Sequence, residues 1–263
     1  MSKTRKVLLT LLALSLLTGP MRLLLAAMLP DSTVNPVPGC IAGMLLSLLT
    51  LGLPAWLLRP WTSPRLLMEK SVWPGAAMGA LAAMLIRWGF PMLDHAWQMV
   101  LGLTPAQMPT PESVPLAMLY VAALVIVPAL TEEAFFRGAL LTGMLDGSRR
   151  IAAVALTTLT FALVHGNLAN LPSLLALSLM LTMLMLHTGH IVVPVAVHLV
   201  YNLTALGWPV LPEWLGGMCC GAAVTLCGYM MLCQPNIAHP PMKIADGLIA
   251  ALTMATLLIL TLI

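Results

Sequence analysis

The sequence predicts an all-α polytopic membrane protein, a single integral domain over residues 1–263 with about nine transmembrane helices packed as an intramembrane bundle. Three observations predict it. Hydrophobic residues make up 60% of the chain and charged residues 8%, against roughly 25% charged in a soluble domain. Mean hydropathy is +0.98, and runs of about 20 mostly apolar residues, the length that crosses a bilayer, recur from end to end. Lys and Arg fall at alternate ends of those runs, as the positive-inside rule requires.

The apolar windows place spans near 7–29, 37–58, 72–93, 114–143, 151–166, 171–187, 190–207, 214–233 and 244–263. The first window follows a basic start that resembles a signal peptide, but its apolar stretch runs on to Met28, so a retained span is expected. With the N-terminus cytoplasmic, the cytoplasmic ends carry Lys3, Arg5, Lys6, Arg59, Arg65, Lys70, Arg149, Arg150 and Lys243. The opposite loops, near 30–36, 94–113, 167–170 and 208–213, carry Asp31, Asp94, Glu112 and Glu213 with no Lys or Arg. Arg22 and Arg87, several residues inside predicted spans, are expected to snorkel to an interface. Tryptophans such as Trp97 are expected to anchor at interfaces, and Gly75 and Gly79 to permit close helix contact.

Net charge is +3 and the basic residues do not cluster on one face, so nucleic acid is not expected as a partner. The five cysteines, Cys40, Cys219, Cys220, Cys227 and Cys233, lack CxxC spacing and read as small buried thiols.

Against this apolar background TEEAFFRG, Thr131 to Gly138, concentrates two carboxylates and a guanidinium inside the fourth span. A charge near the bilayer centre costs roughly 2.5–3.5 kcal/mol even on the lenient insertion scale. Glu133 and Arg137 stand at i and i+4, so they pair on one helical face. Glu132, rotated about 100° away, is left to point elsewhere. A solvated helix end is the bland reading. Apolar sequence resumes through Leu145, however, and places Glu132 roughly 18 Å of helix from Met144.

FALVHGN puts Phe161 and His165 at i and i+4, with His165 about 22 Å along its helix from Arg150. HLVYN pairs His198 with Asn202 in the same way, roughly 12 and 18 Å from His190. Glu132, His165, His198 and Asn202 are therefore expected at overlapping depths, where shared hydrogen bonds reduce the cost of desolvating each alone. A buried carboxylate beside an imidazole can take a proton from water, while a second imidazole and an amide stabilise charge on oxygen. That is the equipment of peptide-bond hydrolysis. His165 and His198 with Glu132 also form a potential ligand set for a divalent metal such as zinc, although no HExxH signature is present. His187 and His190, His95 and His239 are read as solvated loop residues.

The three motifs Glu132-Glu133-Ala134-Phe135-Phe136-Arg137 (EExxxR), Phe161 to His165 (FxxxH) and His198 to Asn202 (HxxxN) resemble, in order and separation, those of the CAAX protease and bacteriocin-processing family of intramembrane proteases. The resemblance covers roughly 114–207, the motif-bearing core. It implies a conical catalytic bundle around an intramembrane cavity that cleaves peptide bonds of a membrane-associated peptide or protein. On that resemblance Glu132 activates water with His165 assisting, His198 and Asn202 hold the oxyanion, and Glu133 and Arg137 are structural. No cofactor is required on this reading, and a divalent metal is the alternative. Prenylated substrates are not implied by the family name alone, since relatives range from trimming of prenylated proteins to bacterial peptide maturation and bacteriocin immunity.

Two rival functions are weighed. A noncatalytic membrane scaffold or bacteriocin self-immunity factor would keep the polar cluster to specify helix packing. A transporter or proton channel is a weaker rival, because no inverted repeat is evident. The short Met-rich chain suggests a bacterial inner or plasma membrane.

Overall fold

The computed structural model describes residues 2–28, 36–58, 72–105, 110–207, 212–232 and 242–262. Arg59, Arg65, Lys70, Asp31, Trp208, His239 and Cys233, and the side chains of Arg22 and Glu213, lie outside the described residues. Among the described residues every regular element is helical, as the apolar windows predict.

The nine rods are α1 (Lys3–Met28), α2 (Pro36–Leu58), α3 (Val72–Leu101), α4 (Val114–Leu145), α5 (Arg150–Val164), α6 (Leu171–Thr188), α7 (Val192–Ala205), α8 (Glu213–Leu232) and α9 (Ile244–Leu262). Five stretches are long and apolar enough to cross a membrane: α2, Pro74–Leu101 within α3, α4, Leu168–Thr188 with α6, and Ile244–Thr261 within α9. Three shorter apolar helices, Arg150–Val164, Val192–Ala205 and Trp214–Met230, bring the candidates to eight among the described residues. The chain is thus a multi-pass integral membrane protein. α1, expected from the sequence as the first span, is helical over Lys3–Met28 and is not among these eight.

Two helices change gauge where a proline interrupts them. Pro54 cannot donate a backbone hydrogen bond and its ring crowds the carbonyl four residues back. The widened π turn Leu48–Gly52 directly precedes it. Pro128 follows the π turn Val121–Ile126 in the same manner. A second π stretch, Ala134–Leu141, begins right after the glutamate pair of α4. Such turns insert a residue into a helix and re-aim the side chains beside it.

α6 forms the buried centre, and its Leu177, Met180, Leu181 and Leu184 share one buried cluster with Phe135, Phe136, Leu140 and Leu141 of α4. A helix that is apolar all round belongs inside. α3 packs along α6, α7 and α8. Glycines allow this approach: a Cβ on Gly79 would stand 2.6 Å from Leu184 Cδ1 and 2.8 Å from Val197 Cγ2. At Gly89 it would overlap the backbone of Cys220 on α8. The outward faces carry large exposed apolar side chains such as Ile151, Met99, Met218 and Leu248, a surface suited to lipid and not to water.

The two ends of the bundle are held by different polar contacts. At one end Lys3 pairs with Asp146 at 2.9 Å, Arg5 pairs with Asp246 at 2.7 Å, and Thr4 donates to the Gly143 carbonyl at 2.9 Å. These residues belong to segments that the charge alternation assigns to one side. At the other end the sequence reading needs correction. The 94–113 loop begins later than expected, because α3 continues to Leu101. Asp94 is buried, and accepts from the Ser173 amide at 3.0 Å and from the Ser173 hydroxyl. Trp97, expected as an anchor, donates its indole N–H to the Leu168 carbonyl at 3.0 Å, and Gln98 donates to the Ala169 carbonyl at 3.0 Å. The unpaired donors and acceptors of the α5–α6 corner thus find partners on α3, and this keeps α3 helical past its polar residues. His95 lies on this helical extension, exposed. Arg87 lies close to Asp94 and to the Tyr201 hydroxyl. His190 is also corrected: it is buried, whereas His187 is exposed as expected.

Candidate active site

Glu133 and Arg137 are both fully buried, and the Arg137 Nη1 donates to Glu133 Oε1 at 2.8 Å. The i, i+4 pair expected from the sequence therefore forms, even though the π stretch starts between its members. Arg137 is held further by Nη2, which donates to the carbonyl and hydroxyl oxygens of Ser178 on α6, each at 2.9 Å. Its Cζ stands 4.6 Å from the centre of the Phe161 ring, a cation–π contact strengthened by desolvation. Ser178 was not singled out from the sequence. A lone serine in an apolar helix carries no local signal of a partner 41 residues away.

The same carboxylate organises a histidine. His198 Nδ1 lies 2.8 Å from Glu133 Oε1, so the ring donates Nδ1–H and leaves Nε2 on its far edge. His165 is fixed in the matching tautomer: its Nδ1 lies 2.7 Å from the Phe161 carbonyl, an acceptor only. His165 caps α5, and Gly166, with φ of 61°, turns the chain away directly after it. A helix end leaves its last carbonyls without partners, and the imidazole folds back onto one of them.

Both Nε2 atoms face Glu132. His165 Nε2 lies 3.6 Å from Glu132 Oε2 and His198 Nε2 lies 3.9 Å from the same oxygen. The reading that separated Glu132 from the Glu133–Arg137 pair and set it at the depth of both histidines agrees with this geometry. The separations exceed a direct hydrogen bond. Phe161 packs among these groups: its ring centre stands 4.6 Å from that of His165, 5.7 Å from that of His198 and 5.2 Å from that of Phe136. Asn202 lies one turn beyond His198 on α7 and is partly exposed.

The donor set of Glu132, His165 and His198 matches a two-histidine, one-carboxylate metal shell in chemical type. The second shell matches too, since each Nδ1 is engaged by a carbonyl or a carboxylate. The spacing does not match without movement. Bonds of about 2.0–2.2 Å in a tetrahedron put ligand atoms about 3.3–3.5 Å apart, and no ready-made group of three metal-binding side chains occurs among the described residues.

Glu132 and His165 open onto a cavity of about 310 Å³. Its remaining wall comes from α1, α2, the first half of α4 and Val164 at the end of α5. α2 is fastened to the glutamate turn: Ser47 Oγ lies 2.6 Å from Thr131 Oγ1, and a Cβ on Gly52 would stand 3.3 Å from Thr131 Cγ2. The sequence reading assigned no site residue to these first spans, because hydroxyls and glycines are common in membrane helices and carry no motif.

Residues 114–204 match the family described as Type II CAAX prenyl endopeptidase Rce1-like. The matched segment is less than half of the chain and contains all three motifs. It makes α4 to α7 similar to a membrane protease at the level of the family. No curated protein and no solved structure matches the chain.

Proposed function

We propose that this protein is an intramembrane endopeptidase that hydrolyses peptide bonds in a membrane-associated peptide or protein through water activated by Glu132. The observation that carries the proposal is the convergence of Glu132 Oε2 with two imidazole nitrogens at 3.6 and 3.9 Å, beside a cavity, while both opposite ring nitrogens are engaged elsewhere. Groups at such separations are close enough to share one water molecule.

In this mechanism Glu132 takes a proton from water as the oxygen bonds to the substrate carbonyl carbon. His165 Nε2 accepts the second hydrogen of that water and aims it. The tetrahedral oxyanion receives hydrogen bonds from the Asn202 amide and from His198, protonated at Nε2 while Nδ1–H stays on Glu133. Glu132 then gives its proton to the leaving nitrogen as the C–N bond breaks. Glu133, Arg137 and Phe161 hold the rings without touching substrate. Were a divalent metal bound, Glu132, His165 and His198 would hold it, and it would supply Lewis-acid activation of the water. The nine-span count and a cytoplasmic N-terminus, supported by the charge alternation along the chain, and a bacterial membrane, suggested by its short Met-rich sequence, complete this reading.

The test is incubation of the reconstituted protein with membrane peptides in heavy-oxygen water. Hydrolysis places the label in the new C-terminal carboxyl group of each product, read by mass spectrometry. A scaffold or immunity factor yields no labelled product, and that result rejects the proposal.

A further inference from the structure

The cavity beside Glu132 has a character that bears on what it admits, given the peptidase reading above. The cavity of about 310 Å³ opens at Glu132. Peptide bonds inside an intact helix are screened by its own neighbouring turns, so a segment attacked there is unwound. An unwound segment in apolar surroundings needs partners for its backbone N–H groups.

The wall offers such partners. Thr50 Oγ1 donates to the Leu46 carbonyl at 2.7 Å, and Ser15 Oγ donates to the Leu12 carbonyl at 2.8 Å. Both protons are engaged by their own helices, so Ser15 and Thr50 present acceptor lone pairs to the cavity. Ser47 Oγ lies 2.6 Å from Thr131 Oγ1, with either hydroxyl able to donate, and Thr18 adds a further hydroxyl to the lining. Leucines make up most of the remaining wall on α1 and α2, and among the described residues no Lys or Arg lines it. Gly43 also lines it, and a Cβ there meets nothing within 4 Å. A side chain at 43 would project into open space without disturbing a neighbour.

We propose that the segment next to the cleaved bond enters this cavity unwound and uncharged, with apolar side chains against α1 and α2, and that Gly43 sets the size limit of the side chain admitted. Selectivity then resides in spans that lie outside the matched segment 114–204.

The experiment uses the full-length protein in nanodiscs and a set of apolar peptides carrying photoreactive leucine, alike except for Ala, Leu, Phe or Lys at one position. Capture by cross-linking is measured on wild type, on Glu132→Gln and on Gly43→Phe, with the thermal unfolding midpoint of each. The expected result is efficient capture of the Leu and Phe peptides by wild type and Glu132→Gln, and at least tenfold less by Gly43→Phe. The Ala peptide changes less than threefold, the Lys peptide is captured poorly throughout, and midpoints are unchanged. Gly43→Val, a smaller plug, keeps the Leu peptide and loses the Phe peptide. Equal capture by all variants, or an equal loss for every peptide, overturns the proposal. Because capture needs no turnover, size-dependent capture without any cleavage would reject the peptidase reading and leave the cavity assignment standing.

Discussion

The helices between Val114 and Ala205 and the pair formed by α1 and α2 meet at one cavity but differ in what they bring to it. The first region supplies charge: an ion pair and a short hydrogen bond join Glu133 to Arg137 and His198, and Glu132 faces His165 and His198 at 3.6 and 3.9 Å. The second supplies leucines, hydroxyls whose protons are engaged, and glycines. Charge inside a bilayer is costly, so each charged group needs a fixed partner and tolerates little change. A wall of neutral side chains carries no such requirement. The difference teaches that chemistry and selection can occupy separate helices of one bundle.

If that division is right, substitutions in the two regions fail in different ways. The largest expected loss of stability is for Arg137→Met. It leaves Glu133 buried without its guanidinium, and breaking a buried pair costs about 3–5 kcal/mol. Thermal unfolding in detergent reads this directly, and an unchanged midpoint would show that the pair does not support the fold. Asp94→Ala comes next. It strips the Ser173 amide and hydroxyl of their acceptor, at about 1–3 kcal/mol for groups left unsatisfied. Hydrogen exchange should rise first around residues 166–175, the corner that presents His165. Uniform exchange across the bundle would contradict a local role. Ser47→Ala is the mildest, losing one hydroxyl contact worth about 0.5–1.5 kcal/mol. Its cleavage rate should stay within a fewfold of wild type. A collapse comparable to loss of Glu132 would erase the boundary between the two regions.

Much of the first region was legible in the sequence, and the reason is local. Glu133 and Arg137 are four residues apart on one helix, and the spacing alone brings them together. The depth of Glu132, His165 and His198 follows from counting residues along apolar runs. What spacing cannot show is which partner a group takes across the bundle. His198 was read with Asn202, four residues away, yet its Nδ1 meets Glu133, 65 residues away. Asp94 looked like a loop residue because acid, histidine and glutamine cluster after Pro91. The structure satisfies that polar turn with the backbone of the α5–α6 corner, a contact that no periodicity encodes. His190 was misread for a similar reason, since a turn beside Gly189 need not face water. The first two spans had no motif to read. Their contribution depends on shape, and shape emerges only when α1 and α2 are set against α4.

The central claim is that one carboxylate activates the attacking water in a site shielded from bulk solvent. Glu132→Gln keeps the size and most hydrogen bonding of that side chain and removes its basicity. Single-turnover cleavage of a membrane peptide, measured in nanodiscs for both forms, tests this most directly. The expected fall in rate is about 10²–10⁴-fold, the range for loss of a general base, with binding and unfolding midpoint unchanged. Equal rates for the two forms would contradict the account.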